Sequence, residues 1–126
     1  MRAWYDRYLA VFTAAGRGES EPEAVVGFYA APLLLTTDDV VVTLRTTEEV
    51  ATWVDGQVSG LRAEQYDRSE MLSSDLRSLN RRTALLRAAF SRRRADGSEI
   101  GAFEVTYVVT RGTEGLRFAA LALHTS

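Results

Sequence analysis

The residues from Ile100 to His124 constrain the fold most, because they have the composition of a long β-hairpin. β-branched and aromatic residues crowd two arms, Ile100 to Arg111 and Leu116 to His124, and glycines bracket the short turn between them. Neither face of the two arms is fully polar. The hairpin is therefore expected in a sheet that helices cover on one side and another subunit covers, at least in part, on the other.

Strict alternation along the hairpin predicts which side chains share a face. In the first arm, Tyr107 shares a face with other large apolar residues. In the second arm, Phe118 and His124 share one face. Leu121 and Leu123 then lie on the opposite face, which we expect to be an outer surface used for assembly.

Three helices are predicted in the first half of the chain. Apolar residues recur at three- and four-residue steps over residues 2–15, which is typical of one helical face. A capping box at 20–23 predicts a second helix that continues to about Tyr29 before Pro32 stops it. A second capping box, at 46–49, opens the third helix. Its apolar stripe consists of Val50, Trp53, Val54, Val58 and Leu61.

The remaining segments have the composition of β-strands. They are residues 33–37, 40–44, 64–79 and 83–94, with a bulge expected in the third. The pair Asp38-Asp39 is typical of the turn between the first two strands. Helices followed by a long meander predict a single domain over residues 1–126, of the α+β class, with three helices packed on a curved antiparallel sheet.

Composition excludes several kinds of site. The chain has no cysteine and one histidine, which excludes thiolate chemistry and a multi-histidine metal site within one chain. All 15 basic residues are arginine, so a lysine Schiff base is also excluded. The net charge of −2 gives no general attraction to nucleic acid, and no apolar run is long enough to span a bilayer. A secretory signal is not recognisable, so a cytoplasmic protein is expected.

Arginines occur in two places that need an interpretation. Residues 92–94 are all arginine at a strand end, and they are interpreted as a solvated rim rather than a nucleic-acid patch, because no interleaved aromatic residues offer stacking platforms. Arg87 lies in the middle of the same strand, and Glu104 on the next strand is its candidate partner. If that face of the strand is inward, a buried Arg87–Glu104 pair is the resulting hypothesis.

Three stretches point to a known family. They are Trp4-Tyr5-Asp6-Arg7-Tyr8 on the first helix, Phe28-Tyr29-Ala30 at the end of the second, and the closing strand from Gly115 to His124. Together with the order of elements, they resemble the nuclear transport factor 2-like superfamily, which includes ketosteroid isomerases and SnoaL-like polyketide cyclases. The resemblance implies a cystatin-like cone with an apolar pocket at its open end and a homodimer formed through the outer face of the sheet.

The resemblance also implies candidate catalytic residues. Tyr8 takes the place of the tyrosine that donates a hydrogen bond to an oxyanion in the isomerases. The general base falls near Thr37, with Asp38 one step away, and a strand turns only one of these two towards the pocket. Tyr107 takes the place of a protonated aspartate, and His124 that of a tryptophan at the pocket mouth. The plain alternatives are a core role for Tyr8, a turn at Asp38 and a solvated strand end at His124.

Two functional hypotheses follow from the resemblance. The first is a domain that binds a small apolar molecule without a cofactor or metal, and that extends to an isomerase or polyketide-cyclase-like enzyme with Tyr8, Asp38 and His124 as its catalytic residues. The second is a non-catalytic dimerisation module whose cavity is filled by its own side chains. The predicted pocket lining consists of Tyr5, Phe12, Trp53, Tyr107 and Phe118.

Overall fold

A computed structural model describes residues 1–124, which form three helices and six strands. The helices are α1 (Arg2–Gly16), α2 (Glu23–Val26) and α3 (Thr47–Ala63). The strands are β1 (Tyr29–Thr36), β2 (Val41–Leu44), β3 (Tyr66–Asn80), β4 (Thr83–Arg94), β5 (Glu99–Gly112) and β6 (Gly115–His124). This is the predicted α+β class, with the helices packed on one side of a curved sheet. Within residues 1–124 no helix is both long and apolar enough to cross a membrane.

The sheet has the strand order β2-β1-β6-β5-β4-β3. Strands β3 to β6 form the antiparallel meander that the sequence predicts. Strand β1 pairs with β6 in parallel, so the sheet is mixed rather than wholly antiparallel. Strand composition indicates that a strand exists but carries no information about which edge it joins.

The two long helices begin and end close to where the periodicity predicts. At the start of α3 the Thr46 side chain accepts a hydrogen bond from the backbone N–H of Glu49, at 3.1 Å. The carboxylate of Glu49 accepts in turn from the backbone N–H of Arg45, at 2.6 Å. These contacts satisfy free donors at the helix start, which is the role of a capping box.

The second helix exists, but its predicted length and its predicted capping box are wrong. Helix α2 has four residues and follows Pro22, and no side chain caps it. The hydroxyl of Ser20 is buried without a partner in residues 1–124, so it does not form the predicted capping box. Tyr29 begins β1 instead of ending a helix, and Pro32 lies inside that strand. The pairing of β1 with β6 is irregular around this proline, which has no N–H to donate to a neighbouring strand.

A β-bulge interrupts the pairing of β5 with β6. Val109 is the partner of Phe118, whereas Val108 is the partner of Ala120, so Ala119 is an extra residue. Because of this extra residue, the alternation of side chains between the two faces shifts by one residue after Phe118. The bulge changes which side chains beyond it face the helices.

Leu121 and Leu123 therefore lie on the inner face of the sheet, opposite Tyr107 and Val105. The prediction that they form an outer surface is wrong, because counting by twos is valid only along an unbroken strand. His124 is the partner of Glu104 on the outer face, not a neighbour of Phe118 on the inner one.

Aromatic side chains from α1 and the sheet meet in one layer. Phe118 is completely buried at its centre. The centre of its ring lies 4.3 Å from that of Tyr107 and 4.7 Å from those of Trp4 and Tyr8. Tyr5 packs edge-on against Phe118. These contacts fix α1 against the inner face of the sheet.

The Arg87–Glu104 pair forms as predicted but is not buried. Arg87 Nε lies 3.0 Å from Glu104 Oε1, and Arg87 Nη2 lies 2.9 Å from Glu104 Oε2. The Arg87 side chain is 57% exposed because odd-numbered residues of this part of β4 face outward. The pair is an ion pair of the outer sheet face.

Candidate functional site

A cavity of about 490 Å³ lies between the helices and the inner face of the sheet. Helices α1 and α3 form one wall, and strands β1 and β3 to β6 form the other. Most of its lining is apolar, with large contributions from Phe12, Trp53, Phe90, Phe103, Leu121 and Leu123. Polar groups come from Tyr8, Tyr29, Gln57, Ser69, Arg92, Tyr107 and His124.

The bulge in β6 contributes directly to this cavity. Leu121 and Leu123 reach the lining only because the extra residue Ala119 turns them inward. Without that shift, the alanines of the strand would face the helices in place of the leucines. The shape and the apolar character of one wall therefore depend on a single irregular residue.

Three buried tyrosines supply neutral hydroxyls to the cavity. The hydroxyl oxygens of Tyr8 and Tyr29 lie 2.6 Å apart and share a hydrogen bond. Burial raises the pKa of Tyr8 and of Tyr29, and it also raises the pKa of Tyr107. These phenols remain protonated at neutral pH, so they act as hydrogen-bond donors rather than as bases.

Arg92 gives the cavity a positive charge. Its guanidinium carbon lies 4.4 Å from the centre of the Phe103 ring and 5.6 Å from that of Phe12. The Nε atom is buried and has no hydrogen-bond partner within residues 1–124. Burial lowers the pKa of Arg92, but an arginine at this position stays charged at neutral pH.

The other two arginines of the run 92–94 have acidic partners. Arg93 lies 3.7 Å from Glu70 and 3.8 Å from Glu99, and Arg94 lies 2.8 Å from Glu64. The interpretation of the whole run as a solvated rim is therefore wrong for Arg92. Inward-facing residues of β4 alternate from Leu86 through Ala88 and Phe90, and Arg92 is the next one. Counting by twos along β4 from Leu86 therefore identifies Arg92 as an inward-facing residue from the sequence alone.

The structure brings some of the predicted site residues together at the cavity. Tyr8, Phe12, Trp53, Tyr107 and His124 line it. Tyr5 and Phe118 do not, because they are buried in the aromatic layer beneath its floor.

The structure does not bring Asp38 to the cavity. Asp38 is exposed in the bend between β1 and β2, and Thr37 is also outside the lining. The Thr37 hydroxyl accepts hydrogen bonds from the backbone N–H groups of Asp39 and Val40, both at 3.2 Å. Strand β1 ends before Asp38. The pair Asp38-Asp39 therefore forms the turn that its composition also indicates.

His124 lies at the rim, with its ring nitrogens directed to the outer face of the sheet. Its Nε2 lies 2.7 Å from the Thr106 hydroxyl, and its Nδ1 lies 3.3 Å from a carboxylate oxygen of Glu104. Both nitrogens therefore have partners outside the cavity, which is not the arrangement of a base that acts on a molecule inside it.

A family profile described as NTF2-like protein (DUF6841) matches residues 1–126. The chain belongs to this family. The predicted resemblance is thereby confirmed. A comparison with functionally curated proteins gives no match.

Solved structures with the NTF2-like or cystatin-like fold are similar to this chain. A domain of unknown function with a cystatin-like fold from Nostoc punctiforme PCC 73102 is 19% identical, with a TM-score of 0.72 over 99% of this chain and 74% of that one. An NTF-2 like protein of unknown function from Shewanella oneidensis MR-1 is 11% identical, with a TM-score of 0.73 over 98% of each chain. At these identities the likeness supports the fold alone.

A ketosteroid isomerase-like protein from Erwinia carotovora atroseptica SCRI1043 is also similar, at 16% identity and a TM-score of 0.65 over 98% of this chain and 91% of that one. The NTF2-like cavity of the present chain differs from the implied isomerase site in one chemical respect. Its lining, taken over residues 1–124, contains no aspartate or glutamate. It combines neutral hydroxyls, the Gln57 amide and one guanidinium with a rim histidine, His124, whose ring nitrogens have partners outside the cavity. This set suits the binding of an oxygen-bearing ligand more than the removal of a proton from carbon.

Proposed function

We propose that this NTF2-like chain binds a small, mostly apolar molecule between its helices and its sheet. The observation that carries the proposal is the open cavity of about 490 Å³. Ligand sites have volumes of about 300–1,000 Å³, mostly apolar walls and a few convergent polar groups. The cavity agrees with this description in size, in its apolar walls and in its hydroxyl groups. Its volume also argues against a module whose cavity is filled by its own side chains.

The proposal is binding rather than isomerase or cyclase chemistry. Proton transfer from carbon needs a base within reach of the bound molecule. The tyrosines of the lining are protonated, and Asp38 is outside it. Only His124 at the rim would remain as a base, and its ring is held by Thr106 and Glu104.

Self-association is a second role, and a separate observation favours it. Strand β3 is an edge strand whose apolar side chains are exposed, with Leu72 61% and Leu79 52% accessible. Unpaired strand edges and exposed apolar residues are features of association surfaces. A homodimer that covers this part of the sheet would be seen by native mass spectrometry, and a monomer at micromolar concentration would contradict it.

Binding in the cavity is tested with N-phenyl-1-naphthylamine, a neutral dye whose fluorescence rises in apolar surroundings. Saturable binding of one dye per chain is expected. Leu123→Trp should weaken it at least tenfold, because the larger side chain occupies space at the cavity wall. Leu79→Trp is the matched control, since it adds the same side chain at an exposed position outside the lining. Equal binding by both variants, or no saturable binding by the unaltered chain, would refute the proposal.

A further inference from the structure

We infer that the ligand of this cavity is an organic anion, an apolar carboxylate whose charged end pairs with Arg92. The inference rests on the proposed binding function and specifies the chemical class of its ligand.

The rings of Phe103 and Phe12 lie 4.4 Å and 5.6 Å from the guanidinium carbon of Arg92. Such contacts hold the cation in place without using its N–H groups. No carboxylate within the described part of the chain forms an ion pair with Arg92. The guanidinium is thus positioned by the protein and left without an anion.

Four phenols act electrostatically on Arg92 from the elements around it. They are Tyr8 on α1, Tyr29 on β1, Tyr66 on β3 and Tyr107 on β5. Burial keeps three of these hydroxyls protonated, so they do not neutralise the guanidinium. They line the same cavity as O–H donors, and an anion accepts hydrogen bonds from such donors.

A neutral ligand would leave this charge unsatisfied. A charge that is removed from water and not paired is costly, whereas a carboxylate matches the planar fork of a guanidinium with two parallel hydrogen bonds. The same argument disfavours a cation, which Arg92 would repel. Arg87, on the same strand but outside the cavity, contrasts with Arg92. Its guanidinium forms two hydrogen bonds with the carboxylate of Glu104, so it needs no ligand.

The rest of the cavity determines the body of the anion. Its walls of Phe12, Trp53, Phe90, Phe103 and Leu121 are apolar and favour an apolar, ring-bearing or branched skeleton. A highly charged anion such as a nucleotide would bring several charges to a lining with one guanidinium. A single carboxylate on an apolar body is the class that fits.

The test compares 1-naphthaleneacetic acid with 1-naphthaleneacetamide, which share a skeleton and differ in charge. Each displaces the bound neutral dye from the full chain at pH 7. The acid should displace it at a concentration at least tenfold lower than the amide. In Arg92→Met this preference should disappear, because methionine retains the apolar stem without the charge. In the control Arg94→Met, which removes an arginine paired with Glu64 outside the cavity, the preference should remain.

The outcomes separate the two proposals. If the dye binds but the acid has no advantage over the amide, the inference is overturned and the binding function stands. If Arg92→Met retains the preference, Arg92 is not the anion partner and the inference is again overturned. If the dye itself does not bind, the proposed function fails. The comparison within the unaltered chain remains decisive even if Arg92→Met does not fold.

Discussion

Arg87 and Arg92 lie on the same strand, β4, and have opposite surroundings. Arg87 faces outward and forms two hydrogen bonds with Glu104. Arg92 faces the cavity, where aromatic rings contact it and no acid of residues 1–124 pairs with it. The outer arginine is satisfied by the protein itself, so it has a structural explanation. The inner one lacks such a partner, and this difference is what indicates a ligand.

High pH should affect the inner face most. Burial raises the pKa of Tyr5, Tyr8, Tyr29 and Tyr107 above the ordinary value of 10.0. Above pH 10 the unfolded chain loses these protons, and the folded chain keeps each one until the pH reaches its raised pKa. Stability is therefore fully present below pH 10 and falls as the pH rises, by up to about 1.4 kcal/mol per pH unit for each tyrosine that is still protonated in the folded chain.

Urea denaturation between pH 8 and pH 12 measures this loss, and absorbance near 295 nm reports phenolate formation. Tyr107→Phe should make the decline less steep by the contribution of one tyrosine. A free energy of unfolding that stays constant above pH 10 would show that the phenols ionise as easily in the folded protein as in the unfolded one.

Arg92→Met should stabilise the ligand-free protein, by about 1–2 kcal/mol, because it removes a largely buried charge that has no internal partner. The protein is refolded from urea before thermal or chemical denaturation, since a retained ligand would stabilise the unaltered chain by mass action. Arg94→Met is the control and should not increase the free energy of unfolding. A loss of stability in Arg92→Met would mean that the guanidinium is satisfied within the fold.

Tyr8→Phe should cost about 1 kcal/mol, because it removes one buried hydrogen bond and leaves the Tyr29 hydroxyl without its partner. The substitution should also weaken the binding of 1-naphthaleneacetic acid. Urea denaturation and dye displacement measure the two effects separately. A larger loss of stability with unchanged displacement would assign Tyr8 to the core alone.

Arg87→Met should have the smallest effect of the four. The ion pair with Glu104 is solvent-exposed, and exposed pairs contribute little to stability. We expect a change in the denaturation midpoint close to the error of the measurement and an unchanged preference for the acid over the amide. A loss of that preference would connect the outer face to the cavity and contradict the separation of the two arginines.

Much of the fold is predictable from local patterns. The amphipathic period of α1, the capping residues of α3 and the glycine-bounded turn between β5 and β6 each act over a few residues, and the structure contains all three. The inward face of β5, which includes Val105 and Tyr107, also follows simple alternation. These features depend on backbone geometry and on nearby side chains.

The failures have physical causes that local patterns do not contain. A bulge such as that at Ala119 has no distinctive composition, yet it reverses the expected face of Leu121 and Leu123. The carboxylate expected at Asp38 is absent from the cavity because the strand ends before that residue. The lack of an acid beside Arg92 depends on strands far apart in sequence, so it is visible only after the chain has folded.

The bulge at Ala119 also determines how this strand can be compared with those of relatives. Removing that one residue would leave Phe118 and Leu121 on their present sides, because the strand would become regular. A deletion further along β6 would move every later side chain of the strand to the opposite face of the sheet. A relative without the bulge must therefore be aligned with its gap at Ala119. A gap placed a few residues later would equate a cavity leucine with a surface alanine.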